Sequence, residues 1–232
     1  MKLGIMQPYF FPYIGYWQLL NAADRYVIYD DVNYIKGGWV NRNRILLNGN
    51  AQYFNLPCLG LSVNKLINEN TTNTDNHEIE KQLRKLREAY QKAPQFKAVF
   101  PMVESIMCSG IGNLAEYLIN LTQCICKYLD IQTELIVSST LEKDNTLRAQ
   151  DKVLAINRLL GATEYYNAIG GQELYSRADF ENAGIKLSFL KAGDITYSQF
   201  TNEFVPNLSI IDVMMFNSKE QIQEMLKDYT LV

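Results

Sequence analysis

The chain has 232 residues, of which 47% are hydrophobic and 20% charged, with a formal net charge of −3 and an isoelectric point near 5.3. This balance is typical of a globular protein of one or two domains, and the acidic excess argues against broad nucleic-acid binding. No apolar run reaches the ~20 residues of a membrane span, and Pro8 and Pro12 interrupt the apolar N-terminal stretch, so we expect a cytoplasmic protein without a signal peptide.

The first thirty residues predict a βαβ unit. Residues 3–6 (LGIM) are typical of a short buried strand, residues 15–23 (GYWQLLNAA) of a helix and residues 26–30 (YVIYD) of a second strand. A unit this short implies parallel pairing with a right-handed crossover. Further on, an Asn-Gly turn at residues 48–49 separates RILL from AQYFNLP, which predicts a β-hairpin that leaves the main sheet.

Helical periodicity dominates the middle of the chain, and alternating strands and helices return after it. We interpret residues 78–129 as a helical insert and residues 196–232 as a C-terminal tail that ends in a helix. That last helix begins with Ser218 and Gln221 at the spacing of a capping box. Between insert and tail we predict strands at 134–137, 164–169 and 186–190, and helices at 147–160 and 173–183.

These elements predict one α/β domain over residues 1–232, with a doubly wound, mostly parallel, five-stranded sheet of Rossmann-like type. In such open sheets, ligands bind beyond the carboxyl ends of the strands. Unusual residue types collect at these ends, which predicts a site there. The segments concerned are Gln7-Pro8-Tyr9, Asp30-Asp31, Ser138-Ser139-Thr140 and Gly170-Gly171.

The turn after the first strand is aromatic and almost uncharged. Its Pro12-Tyr13-Ile14-Gly15-Tyr16 resembles the HxGH signature of nucleotidyltransferases and class I synthetases, with Tyr13 and Tyr16 at the histidine positions. There the glycine lets a nucleotide approach the helix. Phenols can donate hydrogen bonds to phosphate but supply no positive charge. The alternative is that the rings only pack the helix onto the sheet. The candidate ligand-binding residues are Gln7, Pro8, Tyr9, Tyr13, Gly15 and Tyr16.

The segment 36–44 (KGGWVNRNR) combines cations, glycines and an aromatic residue. The cations Lys36, Arg42 and Arg44 can neutralise phosphate or carboxylate, and Trp39 can stack on a base or a sugar face. Asn41 adds an amide, and we include it among the ligand-binding candidates. The alternative is a solvated basic hairpin edge that discourages aggregation.

Polar residues at two other strand ends offer further candidates. Asp30 and Asp31 can hold Mg²⁺ or orient a ribose hydroxyl, or they can bond backbone amides in a turn. Ser138 and Ser139 follow a later strand, in a position similar to the serine-rich turn that holds triphosphate in nucleotidyltransferases. A serine pair in that place is common, so this pattern is less specific than the aromatic turn.

Three remaining features have an ordinary structural alternative. Gly170 and Gly171, with Tyr175, can form a backbone nest for an anion, or only a turn. Asp212 stands alone in an apolar run, where we expect a hydrogen-bonded structural carboxylate, with a catalytic base as the alternative. The four cysteines lack metal-ligand spacing and His77 is the single histidine, so we predict no metal site built from cysteine and histidine.

The stretch IMQPYFFPYIGYWQLLNAADRYVIYDDVNYIKGGWVNRNRI resembles the WbqC-like protein family. The resemblance continues through YYNAIGGQELYSRADFENAGIKLSFL and LSIIDVMMFN, and so covers nearly the whole chain. Members occur in bacterial gene clusters for O-antigen and other surface polysaccharides, and the resemblance implies glycine transfer onto sugars. Members often carry a histidine shortly before the Tyr-x-Gln element, where this chain has Ala192-Gly193-Asp194. The matching positions are Gln7, Pro8, Pro12, Gly15, Asp30, Asp31, Lys36, Trp39, Asn41, Arg42, Gly170, Gly171, Tyr175 and Asp212.

Together these features predict a transferase that acts on a nucleotide-activated sugar in surface-polysaccharide synthesis, transferring an amino acid such as glycine onto an amino-sugar. ATP or a nucleotide-sugar with Mg²⁺ would be the ligand, and Asp30, Asp31, Lys36 and Arg42 the catalytic candidates. We expect no nucleic-acid partner and no membrane span, and a homo-oligomer is compatible with the sequence. The alternatives are a non-catalytic nucleotide-sugar-binding module and a scaffold subunit of a glycan-assembly complex. The scaffold would dock through a large exposed apolar patch on residues 78–129.

Overall fold

The structure, a computed structural model, describes residues 1–200 and 203–232. The strands are β1 (Lys2–Met6), β2 (Arg25–Ile28), β3 (Arg42–Leu47), β4 (Asn50–Asn55), β5 (Cys58–Leu59), β6 (Thr71–Thr72), β7 (Glu134–Val137), β8 (Glu164–Ala168), β9 (Lys186–Ala192) and β10 (Tyr229–Leu231). The helices are α1 (Ile14–Ala22), α2 (Asn76–Tyr90), α3 (Phe96–Met107), α4 (Leu114–Leu129), α5 (Ala149–Leu159), α6 (Arg177–Asn182), α7 (Ile210–Phe216) and α8 (Lys219–Met225). No described helix is long and apolar enough to cross a membrane.

The main sheet has six strands in the order β10-β9-β8-β1-β2-β7. The five predicted strands are present, and each pairs in parallel with its neighbours. The predicted count of five is wrong, because β10 adds an antiparallel strand to the free edge of β9. The chain builds outward from β1 to β2 and β7, then crosses to the other side of β1 for β8 and β9. The carboxyl ends of all five parallel strands therefore lie along one edge.

Helices cover both faces of this sheet because alternate residues of its strands point in opposite directions. Tyr26 and Ile28 of β2 belong to a core shared with α1, α4, α7 and α8, whereas Val27 belongs to a second core shared with α5 and α6. The aromatic side chain of Trp17 is completely buried in the first core, and its indole N–H donates to the Pro12 carbonyl oxygen at 3.0 Å. The turn after β1 is thereby tied to the helix that follows it.

The predicted hairpin and helical region are both present. Asn48 (φ 52°) and Gly49 (φ 75°) join β3 to β4 with two successive left-handed residues, as the tight turn of a two-residue hairpin requires. The hairpin forms a sheet of its own, held to α2 by a bond from the Leu46 amide to the Tyr90 hydroxyl (2.9 Å). The helices α2, α3 and α4 fill the predicted insert. The Ser218 side chain accepts from Gln221, which confirms the predicted capping box of α8.

Candidate functional site

Two cavities at the carboxyl edge of the sheet are lined by residues singled out from the sequence. The larger, about 520 Å³, lies beyond β2 and β7, and we call it the basic cavity. The smaller, about 250 Å³, lies where the turn after β1 meets β3, and we call it the aromatic cleft. The two share no lining residue. The basic cavity is lined by Tyr29, Asp31, Val32, Asn33, Leu66, Asn68, Ser139, Asn145, Arg148, Ala149 and Lys152, and the aromatic cleft by Tyr9, Pro12, Tyr13, Trp39, Asn43, Arg44 and Asn207.

Asp30 fastens the end of β2 to the end of β7. One carboxylate oxygen accepts from the Ser139 amide (2.9 Å), and the other accepts from the Ser139 hydroxyl (2.6 Å) and the Asn68 side-chain amide (3.2 Å). The residue is only 2% exposed. Both oxygens are therefore used in holding two strand ends together, which favours the structural interpretation of Asp30 over a catalytic one.

Asp31 holds two buried lysines beside the basic cavity. Its Oδ2 lies 2.9 Å from the Nζ of Lys143 and 3.0 Å from the Nζ of Lys152, and the two lysine side chains are only 3% and 6% exposed. Burial alone would raise the pKa of Asp31, but the hydrogen bonds and positive charge of Lys143 and Lys152 hold that pKa below its usual value. One carboxylate thus faces two ammonium groups, so the cluster keeps an excess of positive charge.

The start of α5 adds a third cation and free backbone donors to the basic cavity. Arg148 precedes the helix by one residue, and Lys152 follows one turn later, so both face the same cavity. Arg148 makes no side-chain cap for the helix, and the first N–H groups of any helix have no partner within it. Ala149, which lines the cavity, is the first residue of α5. These cationic and N–H groups are those that bind phosphate at helix starts.

The aromatic cleft brings together two motifs that the sequence analysis singled out, the turn after β1 and the basic segment 36–44. Tyr9 and Tyr13 come from the turn after β1, and Trp39 and Arg44 come from the basic segment. The Arg44 guanidinium lies over the Trp39 ring, 5.7 Å from its centre. Burial raises the pKa of Tyr9 and of Tyr13, so both phenols stay protonated at neutral pH and can donate hydrogen bonds.

The clamp that builds the cleft is Asn43, which the sequence analysis did not select. Its side-chain amide donates to the carbonyl oxygens of Phe10 (3.1 Å) and Phe11 (2.9 Å). The Phe10 amide in turn donates to the Trp39 carbonyl oxygen at 3.0 Å. Phe11 has a φ of 42°, a left-handed conformation that costs energy for a bulky residue. The Asn43 side chain supports this conformation by donating to these two buried carbonyls.

Gly15 has a packing role in the structure. A Cβ placed on Gly15 would lie 2.5 Å from the ring of Tyr13, closer than any side chain can come. The space that the glycine leaves open is therefore taken by the chain's own phenol, where the sequence analysis expected a nucleotide. Tyr16 is buried, and its hydroxyl donates to the Gln7 carbonyl oxygen at 3.2 Å. Pro8 is buried too, and Gln7, Pro8 and Tyr16 line neither cavity.

Three other candidates of the basic segment, Lys36, Asn41 and Arg42, line neither cavity. Arg42 donates to the carbonyl oxygens of Gly37 and Gly38, and its guanidinium stacks on Tyr53 at 4.4 Å from the ring centre. Asn41 accepts from the Tyr34 hydroxyl at 2.8 Å, and Lys36 is exposed. Neither Arg42 nor Lys36 lines the cleft or the basic cavity.

Of the remaining candidates, Ser139 alone lines one of the two cavities. The Ser138 hydroxyl is buried and has no hydrogen-bond partner within residues 1–200 and 203–232, whereas Ser139 lines the basic cavity. Gly170 and Gly171 lie in a short 3₁₀ turn, where a Cβ on Gly171 would lie 2.9 Å from the Asn167 side chain. Tyr175 packs edge-on against Tyr165. Close packing thus accounts for Gly171 and Tyr175 without a ligand.

Asp212 is a buried structural carboxylate, as we expected. It accepts from the hydroxyls of Tyr90 (2.8 Å) and Tyr197 (2.7 Å) and from the Gln199 side-chain amide (2.7 Å). Burial raises the pKa of Asp212. The carboxylate thus joins α2, α7 and the tail, and its oxygens are occupied by these donors.

The comparisons with known proteins agree with the motif analysis. The profile of the WbqC-like protein family matches residues 7–224. The chain belongs to this family. The chain is similar to a protein of Mycobacterium tuberculosis (strain ATCC 25618 / H37Rv), uncharacterized protein Rv1507c. The two are 26% identical over an alignment of 233 positions that covers 97% of each chain. No solved structure matches.

The WbqC-like pattern does not map onto a single pocket. Trp39 and Pro12 lie in the aromatic cleft and Asp31 in the basic cavity, whereas Gly193 borders a third cavity of about 270 Å³ that Tyr13 also lines. A Cβ on Gly193 would collide with the Asp228 carboxylate, so the Asp228 side chain takes the space that a larger residue at position 193 would need.

Sequence reasoning missed three cations, of which two line the basic cavity and the third binds Asp31 beside it. Lys143, Arg148 and Lys152 stand at separate positions in the loop after β7 and the first turn of α5. The four-residue spacing of Arg148 and Lys152 at the start of a predicted helix was the available signal. Within the described part of the chain, no group of three or more His, Cys, Asp or Glu could hold a metal ion. Three donors occupy the oxygens of Asp30, and two ammonium groups lie on Oδ2 of Asp31, so the positive charge beside these carboxylates disfavours Mg²⁺.

Proposed function

We propose that this chain is a transferase that acts on a nucleotide-activated sugar and holds the diphosphate of that substrate in the basic cavity. The observation that carries the proposal is the pairing of Arg148 and Lys152 at the start of α5, facing a cavity of about 520 Å³. A cavity of this volume suits a ligand of nucleotide size. The diphosphate would lie against the first N–H groups of α5, with both cations neutralising its charge.

The sheet supports the same ligand class. The order β9-β8-β1-β2-β7 resembles the order of Rossmann-like sheets, and open α/β sheets bind ligands beyond the carboxyl ends of their strands. The basic cavity lies at that edge, beyond β2 and β7. Membership of the WbqC-like family fits transfer onto a sugar during surface-polysaccharide synthesis, with an amino acid such as glycine as the group transferred and an amino-sugar as the acceptor.

A non-catalytic nucleotide-sugar-binding module is the second candidate, and one observation favours it. Asp31 is the only carboxylate that lines the basic cavity, as far as the chain is described, and two lysines occupy it. No free general base is therefore in place. The scaffold alternative lacks its predicted feature, since residues 78–129 carry no large exposed apolar side chain.

Calorimetric titration with UDP-N-acetylglucosamine, UDP and inorganic pyrophosphate tests the proposal. We expect binding that weakens about tenfold or more in Arg148→Ala, since charge-assisted bonds to phosphate are lost. Arg158→Ala is the matched control, because Arg158 is exposed at the far end of the same helix. If the wild type binds none of these compounds, or if both variants weaken binding equally, the proposal fails.

Turnover separates the transferase from the binding module. The protein is incubated with UDP-activated amino-sugars, ATP and glycine, and the products are analysed by mass spectrometry. A sugar that gains the mass of a glycyl group supports the transferase. Binding that depends on Arg148 without any such product supports the binding module.

A further inference from the structure

The aromatic cleft has the chemistry of a carbohydrate site. Trp39 is 39% exposed and forms one wall, and the half-buried rings of Tyr9 and Tyr13 form another. Aromatic faces pack against the C–H face of a sugar ring, and their polar ends bond its hydroxyls. The cleft measures about 250 Å³, below the range typical of nucleotide-sized ligands, so a single ring suits it.

Arg44 gives the cleft a preference for an anion. It is the only charged side chain that lines the cleft, as far as the structure describes the chain. Its Nε is buried and has no hydrogen-bond partner within the described residues, and its Nη2 makes one long contact of 3.3 Å with the Asn207 carbonyl oxygen. A buried guanidinium N–H without a partner is costly, and a ligand carboxylate would satisfy it.

The neighbouring polar groups do not compete for this ligand. Arg42 is engaged with two backbone carbonyls, and Asn43 uses its amide on Phe10 and Phe11. Arg44 is thus the guanidinium of the hairpin that keeps unsatisfied donors, and it keeps them above an exposed indole. The combination of a flat apolar wall with one forked cation suits a ring that carries an anionic group such as a carboxylate.

We propose that the aromatic cleft binds a sugar ring that carries a carboxylate, with the ring packed on Trp39 and the carboxylate on Arg44. Tyr9 and Tyr13, protonated at neutral pH, donate to the ring hydroxyls. The inference goes beyond the proposed function, because it concerns a separate cavity and a different ligand. The proposal for the basic cavity and the proposal for the cleft can therefore be confirmed or refuted independently.

Nuclear magnetic resonance of the ¹⁵N-labelled protein tests this site through its two indole N–H signals. Methyl β-D-glucuronide, methyl β-D-glucoside and acetate are titrated separately. Trp39 lines the cleft, whereas Trp17 is fully buried with its indole bonded to Pro12. We expect the glucuronide to shift the Trp39 signal saturably in the millimolar range typical of a monosaccharide. Methyl glucoside and acetate should each bind at least about tenfold more weakly than the glucuronide, because each lacks one of the two contacts.

Variants assign the carboxylate contact. Arg44→Gln should weaken glucuronide binding about tenfold. Lys65→Gln removes an exposed positive charge after β5, outside the cleft, and should leave glucuronide binding unchanged. Arg148→Ala, at the basic cavity, should leave it unchanged too. The proposal is overturned if glucoside or acetate binds as tightly as the glucuronide, if Trp39 does not respond, or if Arg44→Gln binds normally. The wild-type comparison of the three compounds decides the matter even where Arg44→Gln fails to fold.

Discussion

The basic cavity and the aromatic cleft lie at the same edge of the sheet but are built in opposite ways. In the basic cavity the charges of Asp31 and Lys152 are buried and paired, so the wall of the cavity is held by buried interactions. In the cleft the polar clamp Asn43 is hidden behind the surface, and partly exposed rings form the walls. The comparison teaches that changes to the buried charges of the first region should act mainly on folding. Changes in the walls of the second should act on ligands.

The largest effect is expected from Asp31→Asn, which leaves two buried ammonium groups without a carboxylate. Removing one partner of a buried ion pair costs about 3–5 kcal/mol. Urea denaturation measures the loss, and Asp151→Asn, at an exposed position of α5, is the control that should change little. Equal stability of the two variants would contradict the role given to the Asp31 cluster.

Acid should weaken the same cluster to a smaller extent. The folded-state pKa of Asp31 is lowered, so its contribution is complete above the unfolded-state value of about 3.9 and is lost as pH falls through the folded-state value. The difference in urea stability between wild type and Asp31→Asn should therefore narrow below about pH 4. A difference that stays constant from neutral to strongly acidic pH would show that Asp31 is not charged in the fold.

Asn43→Ala should cost about 1–3 kcal/mol, because two buried carbonyls lose a hydrogen-bond donor. This variant tests whether the cleft depends on a hidden clamp or on its visible rings. Asn55→Ala is the control, because Asn55 is exposed on the paired strand β4. The measurement is again urea denaturation, joined to titration of the cleft. A stable variant with an unchanged Trp39 indole signal would mean that the turn after β1 keeps its conformation without the Asn43 side chain.

Gly15→Ala should have the smallest effect, about 1–2 kcal/mol, because overpacking displaces the Tyr13 ring. The same change in a Tyr13→Ala background should cost much less, since the ring that a Cβ would meet is gone. A double-mutant cycle measures this coupling. Gly112→Ala is the control, because a Cβ there meets nothing within 4 Å. Additive effects at positions 13 and 15 would contradict the packing role of Gly15.

Most of the fold could be predicted because its strands and helices carry strong local patterns. The five parallel strands, the Asn48–Gly49 turn and the capping box of α8 follow from alternation, turn chemistry and capping chemistry. The strand β10 could not be predicted, because three residues are too short for a periodic pattern. Its pairing with β9 depends on where the tail returns to the sheet.

The aromatic cleft was predictable in part, and the basic cavity was not. Tyr9, Tyr13, Trp39 and Arg44 belong to two conspicuous motifs of the sequence, and the fold brings these motifs together. The pairing of Lys152 with Asp31 joins positions 121 residues apart. Neither residue looks unusual in its own segment, so only the packing of α5 against the end of β2 shows that they form one unit.

The pair of lysines on one carboxylate has a consequence for inheritance. A lineage that loses the acid at position 31 before altering position 143 or 152 passes through a chain with two uncompensated buried ammonium groups, which selection against misfolding removes. Substitutions at these three sites should therefore arrive together among descendants, with an uncharged residue at 31 accompanied by the loss of a lysine. An ancestral reconstruction in which position 31 drifts freely while both lysines persist would contradict this linkage.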